Sequence, residues 1–270
     1  MSRVGIAPSR ATRIVILATV GLVFAIPIIA MAEFTLRAGL GGGYDLNHWA
    51  DILDPENERR YRALFTGVGN SIVLAAVTVG IVVLLLVPTM ILVTLRFPRL
   101  ARPLELLCLV PITVPAVVLV VGLAPVYSVL ASTVGTAPWT LAFAYGITVL
   151  PFAHRAVQSA LGAVDVVTLS EAARSLGAGW ARVVVSVIVP NIRGGVLAAS
   201  VIAVAVVLGE YTIASLLNRQ NLQTALVQVS KSDPYVAIIF ALLALAFAFT
   251  MLFVIARAGA TRTRTRRKRT

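Results

Sequence analysis

The chain has 270 residues, of which 59% are hydrophobic and only 13% charged. A water-soluble globule carries about twice that charged fraction, so the balance excludes one. The net charge of +12 invites a nucleic-acid reading, but the cations flank long apolar runs rather than forming one basic face, which points to a membrane instead.

A hydrocarbon core about 30 Å thick needs about 20 apolar residues per helix. Six stretches meet that need: residues 14–36, 68–95, 104–130, 138–161, 194–217 and 235–256. The fold class is therefore all-α and polytopic, with a membrane domain over 14–257, a short segment before it at 1–13 and a basic tail at 258–270. If the N-terminus is cytoplasmic, 17 of the 23 Lys and Arg residues fall inside and 6 outside. The positive-inside rule then places both termini in the cytoplasm.

The first span follows Arg3, Arg10 and Arg13 and ends near Ala30-Met31-Ala32, a pattern shared with cleaved secretory signals. Its apolar run is longer than a signal core of about 7–15 residues, so a retained helix is expected. Residues 39–66 form the longest external connection. Within it Leu46, Trp49, Ile52 and Leu53 share one helical face, giving an interfacial helix that is also a candidate docking surface for an external protein. Asn70-Ser71 opens the second span, and Pro88, Pro111, Pro115 and Pro125 mark helices that bend where neighbours satisfy the freed carbonyls. Arg102 and Glu105 pair at an inner mouth. Cys108, His48 and His154 stand apart from one another, too scattered for a metal site, and read as packing or interface residues.

The connection between spans four and five, about residues 162–190, is not random loop. Glu171, Ala172 and Ala173 suit a short helix, Gly177 suits a turn at positive φ, and a second helix over 180–189 is expected to end at Pro190. This spacing resembles the cytoplasmic loop of ABC importer permeases: E-A-A, three residues, G, nine residues, then I-x-L-P. Glu171, Ala172, Ala173, Gly177 and Pro190 match as they stand, while Val187 and Val189 replace the isoleucine and leucine. The resemblance implies coupling helices that dock into a cleft on a separate ATPase subunit, with the glutamate as an N-terminal anchor and the alanines allowing close contact. An amphipathic hairpin lying on the inner leaflet is the plainer reading of the same residues.

Span five carries Glu210, the one acid expected inside the membrane, followed by Tyr211. An uncompensated acid at the bilayer centre costs about 2.5–3.5 kcal/mol, so it should face the bundle, a partner or an interface. Either Glu210 and Tyr211 belong to a substrate pathway or gate, or the carboxylate is structural. Residues 209–217, Gly-Glu-Tyr-Thr-Ile-Ala-Ser-Leu-Leu, are similar to the fifth-helix segment of permeases from the polyamine, opine and phosphonate importer group. Span six is uniformly apolar, and its tail, Arg262 to Arg269, suits anionic inner-leaflet lipid.

No G-x-x-x-x-G-K-[ST] occurs, nor H-E-x-x-H or G-x-S-x-G, so the chain is not expected to be an enzyme or to bind a cofactor. The resemblance implies ATP used by partner ATPase subunits, a second permease subunit, usually a different chain, and an external substrate-binding protein. A secondary transporter driven by an ion gradient is the alternative, but such proteins carry internal repeats and midplane polar groups not seen here. A membrane scaffold without substrate is a third class and does not account for the loop.

Overall fold

The structure is a computed structural model that describes residues 9–39 and 42–266, with side chains described as far as Phe253. Residues 1–8 and 267–270 fall outside the described residues, and of the basic tail expected to meet lipid only the backbone of 258–266 is described, as a continuation of the last helix. Helix α1, Arg10–Phe34, starts at Ser9, whose hydroxyl accepts from the Thr12 N–H. It buries none of its apolar window against the rest of the chain, so its surface is left for lipid or a partner. At its far end the Tyr235 ring lies between Phe34 and His48, with ring centroids 4.7 and 4.1 Å away. Helix α2, Asn47–Leu53, is the short helix expected between the first two spans. Its apolar face is split, however: Trp49 and Ile52 are half-buried, whereas Leu46 and Leu53 are exposed.

Helix α3, Pro55–Arg96, runs 42 residues. That is about 60 Å at 1.5 Å per residue, so it projects well beyond the expected span. Asp54 caps its first turn by accepting from the Glu56 N–H. Residues Val82–Leu86 form a wider π turn, and Pro88 follows it by two residues. A proline in an α-helix lacks one N–H and its ring meets the carbonyl four residues back. The π turn re-spaces that carbonyl, which explains how the helix continues.

The expected third span is not one helix. It is α4, Ala101–Thr113, and α5, Ala116–Thr133, separated at Val114 and Pro115, both extended (ψ 122° and 141°). The residue before a proline is pushed out of the α region, and Pro111 four residues earlier leaves no regular helical turn to carry across. Helix α6, Ala142–Gly162, occupies the place of the fourth span and is the most enclosed. Five helices among the described residues are long and apolar enough to cross a membrane; α6 has the length, but His154, Arg155 and Gln158 lower its hydropathy.

After α7, Val166–Ser175, comes α8, Trp180–Gly209, a single helix of 30 residues. The expected separate helix ending at Pro190 is therefore corrected. A second π turn, Val183–Ile188, precedes Pro190 by two residues and carries the helix through it. Span five also ends earlier than expected, at Gly209, where the chain opens before the short α9, Thr212–Leu216. The connection at 218–234 contains a further helix, α10, Leu222–Ser230, before α11, Pro234–Arg266.

The core runs between α6 and α8, with α3 and α4 against it. Close approach depends on small residues, as in membrane bundles generally. A Cβ built at Gly195 of α8 would run into the Ala160 methyl and lie 2.8 Å from the Ala156 carbonyl oxygen. Gly67 of α3 plays the same part against α10, where a Cβ would lie 2.8 Å from both the Asn221 carbonyl oxygen and the Ala225 methyl. Gly195→Leu should thus overpack the α6–α8 seam and lower stability by about 1–3 kcal/mol. The thermal midpoint of the detergent-solubilised chain checks this, with Gly194→Leu, at a site open on that side, as the control expected to change little.

Candidate functional site

Two regions carry the residues singled out from the sequence, one at each end of α8. At its start lies the hairpin. Asp165 caps α7, accepting from the Thr168 N–H at 3.1 Å and the Thr168 hydroxyl at 2.7 Å. These bonds, the hydroxyl's first, hold the Asp165 carboxyl below its ordinary pKa. The cap is thus in place above the carboxyl's unfolded pKa and is lost as pH falls through the depressed folded value. Val166 and Ser170 are buried and Ala173 is half-buried against the core, a spacing of four and three that sets one face of α7 on the bundle. Glu171, Ala172, Arg174 and Ser175 occupy the exposed remainder.

The turn closes as a Schellman motif. The Gly177 N–H donates to the Arg174 carbonyl at 2.9 Å and the Ala178 N–H to the Ala173 carbonyl at 3.0 Å. Gly177 sits at φ +84°, the left-handed position where glycine avoids a Cβ penalty. Leu176, at the apex, is 88% exposed. Behind the turn, the Arg96 guanidinium lies 5.5 Å from the centre of the Trp180 ring, tying the hairpin to the end of α3. Glu171, Ala172, Ala173 and Gly177 are thus gathered in one unit. Pro190 is not part of it and lies farther along α8, exposed. Of the two alanines, only Ala172 faces outward.

At the other end, Glu210 is extended (ψ 117°) and ends α8. A helix end in an apolar setting leaves carbonyls without partners. Here they are met by side-chain amides: Gln223 donates to the Leu208 carbonyl at 2.6 Å and Asn221 to the Glu210 carbonyl at 2.7 Å. Asn221, 0% exposed, also donates to the Tyr145 hydroxyl at 3.0 Å and caps α10. The Ser71 hydroxyl accepts from the Leu222 N–H, and Asn70 donates to the Gln220 carbonyl. The Asn70-Ser71 pair therefore lies within α3 and clips it to α10, rather than opening a helix.

The Glu210 carboxylate accepts from the Ile213 N–H at 2.6 Å, bridging the break locally. Tyr211, 40% exposed, lines an open polar pocket of about 460 Å³ together with Ser215, Arg219 and Gln228. The two neighbours expected to act together thus face different tasks. Sequence reasoning missed Asn221, Gln223 and Arg219. The first was signalled by Asn221 and Thr224 at capping-box spacing, followed by Leu222, Ala225, Leu226 and Val229 at helical spacing.

Among the described residues, an all-helical bundle with five apolar helices of spanning length defines a polytopic membrane protein. Residues 87–269 match the family of the binding-protein-dependent transport system inner membrane component, and the chain belongs to that family. It is a permease subunit of an ABC transporter of the inner membrane. A comparison with curated proteins finds no match.

Because Glu210 accepts a backbone N–H, Glu210→Ala and Glu210→Gln should differ. Alanine removes a bond to a charged group, worth about 1.5–3 kcal/mol, and should lower the thermal midpoint. Glutamine keeps an acceptor oxygen and should cost less than half as much. Equal effects of the two would show that the charge, not the cap, is what the position supplies.

Proposed function

We propose that this chain forms one half of the translocation pore of an ABC importer, and that residues 171–190 transmit ATP hydrolysis from a separate ATPase subunit. The observation that carries the reading is the hairpin tip. The outward face of α7 and the apex Leu176 project from the bundle on a turn closed by its own hydrogen bonds. A rigid exposed helix with an apolar tip suits insertion into a cleft on another protein. ATP is held by the partner and no cofactor by this chain. A second permease subunit, most often a different chain, completes the pore, and an external binding protein delivers the solute. We further propose that Tyr211 lines the pathway, that Glu210 acts on its gate by holding the break in α8, and that the solute is polyamine-like or another small polar solute such as a phosphonate. Both termini and the hairpin lie in the cytoplasm, and residues 39–66 and 218–234 outside.

Gly177→Asp should abolish ATPase association or coupled transport with membrane insertion intact. It places a Cβ at positive φ and a charge on a contact surface, where an unpaired buried charge is costly. Gly177→Asn tolerates the left-handed conformation without the charge, so it should be milder by about tenfold or more in transport rate. Co-purification of the ATPase and ATP-dependent uptake measure both, and parental behaviour of Gly177→Asp would sink the coupling role.

The topology has its own check. An impermeant thiol reagent added outside should label Asp54→Cys but not Ser175→Cys, and the reverse pattern would place the hairpin on the wrong side for an ATPase.

A further inference from the structure

The pocket beside the break in α8 holds a cation that no carboxylate among the described residues pairs with. Helix α9 ends in a second Schellman turn: the Asn218 N–H donates to the Ser215 carbonyl at 3.1 Å and the Arg219 N–H to the Ala214 carbonyl at 2.8 Å. Asn218 takes the left-handed position at φ +51°, and the turn brings Arg219 onto the pocket wall. The Arg219 Nε is buried without a hydrogen-bond partner among the described residues. The ion pairs among those residues, Glu33 with Arg37 and Asp233 with Arg60, leave Arg219 out. A guanidinium has no neutral form at physiological pH, and a buried donor left unpaired carries a desolvation penalty that a bound acceptor would relieve.

The rest of the wall offers more donors. Tyr211, Ser215 and Gln228 line the same pocket, and none of their side chains is committed to a hydrogen bond that holds the fold. Gln220 donates its amide to the Ala63 carbonyl, which leaves its carbonyl as an acceptor. The wall carries one positive charge and no carboxylate: Glu210 next to it is turned to the Ile213 N–H. We propose that this pocket binds an oxyanion, a carboxylate or a phosphate-type group on a small solute, with Arg219 as its charge partner and Tyr211, Ser215 and Gln228 completing the oxygen contacts. The inference rests on the transport reading and refines its solute. Of the two chemistries considered for the cargo, it selects the anionic phosphonate type over the polycationic polyamine type. Arginine suits this task because its planar fork presents two parallel N–H donors to paired oxygens.

The test is binding to the full-length chain in nanodiscs of zwitterionic lipid, with no ATPase and no ATP, so its failure leaves the coupling role of the hairpin standing. Radiolabelled phosphate, methylphosphonate, succinate and putrescine are each titrated by equilibrium dialysis. Saturable binding of phosphate and methylphosphonate, or of succinate, is expected, and which of them binds tells a phosphate-type group from a carboxylate. Arg219→Gln should weaken that binding about tenfold or more, Arg219→Lys by only a few-fold, and Gln228→Leu, which leaves the charge in place, by an intermediate factor. Putrescine should not bind. Absence of oxyanion binding to the parent chain would overturn the proposal, as would binding that Arg219→Gln and Gln228→Leu leave unchanged, or putrescine binding that depends on the same residues.

Discussion

Every backbone group that a broken helix frees inside an apolar bundle must find a partner within the chain, because lipid offers none. The architecture around residues 208–222 follows from that constraint. Once Glu210 turns extended, the carbonyls of Leu208 and Glu210 lose their helical donors and are met by Gln223 and Asn221. Those amides are in position only because α10 folds back against α3, and α10 reaches α3 only because Gly67 has no side chain there. The buried Tyr145 hydroxyl on α6 closes the same network. Four helices are thus tied together by one interruption.

Prolines meet the same demand in two other ways. In α3 and α8 a π turn precedes the proline by two residues and the helix continues. Between α4 and α5 the helix gives way instead, at Val114-Pro115. The difference lies in the local sequence: Pro88 and Pro190 have no second proline one turn earlier, whereas Pro115 has Pro111. Two missing N–H groups one turn apart remove more than a widened turn can re-space.

The helical class and the places of the spans were legible because apolar runs of spanning length admit little else, and Gly177 was legible because a left-handed turn favours glycine so strongly. The turn at Gly177 and the helix before it lie where the spacing put them. What followed was less readable. Proline at position 190 reads as the first turn of a new helix, and only the three-dimensional π turn reveals that the chain passes through it. Helix α10 is only nine residues long and follows the polar run Asn218 to Asn221, so it reads as part of the connection although Asn221 and Thr224 stand at capping-box spacing. Arg219 carries no local signal, since its meaning comes from a pocket assembled by α3, α9 and α10.

The continuity of α8 has a mechanical consequence. With no joint between Trp180 and Gly209, the helix is a lever about 45 Å long whose ends are the hairpin and the break at Glu210. A tilt imposed at the hairpin would be delivered to the far end as a displacement that grows with distance from the pivot, the close contact of Gly195 with Ala156 and Ala160. Gly195 divides the rod almost evenly, so motion at one end would return at the other with its amplitude little changed and its direction reversed. The π turn at Val183–Ile188 lies on the hairpin arm, so the wider-wound backbone is on the hairpin side of that contact and the pocket side is regular α-helix.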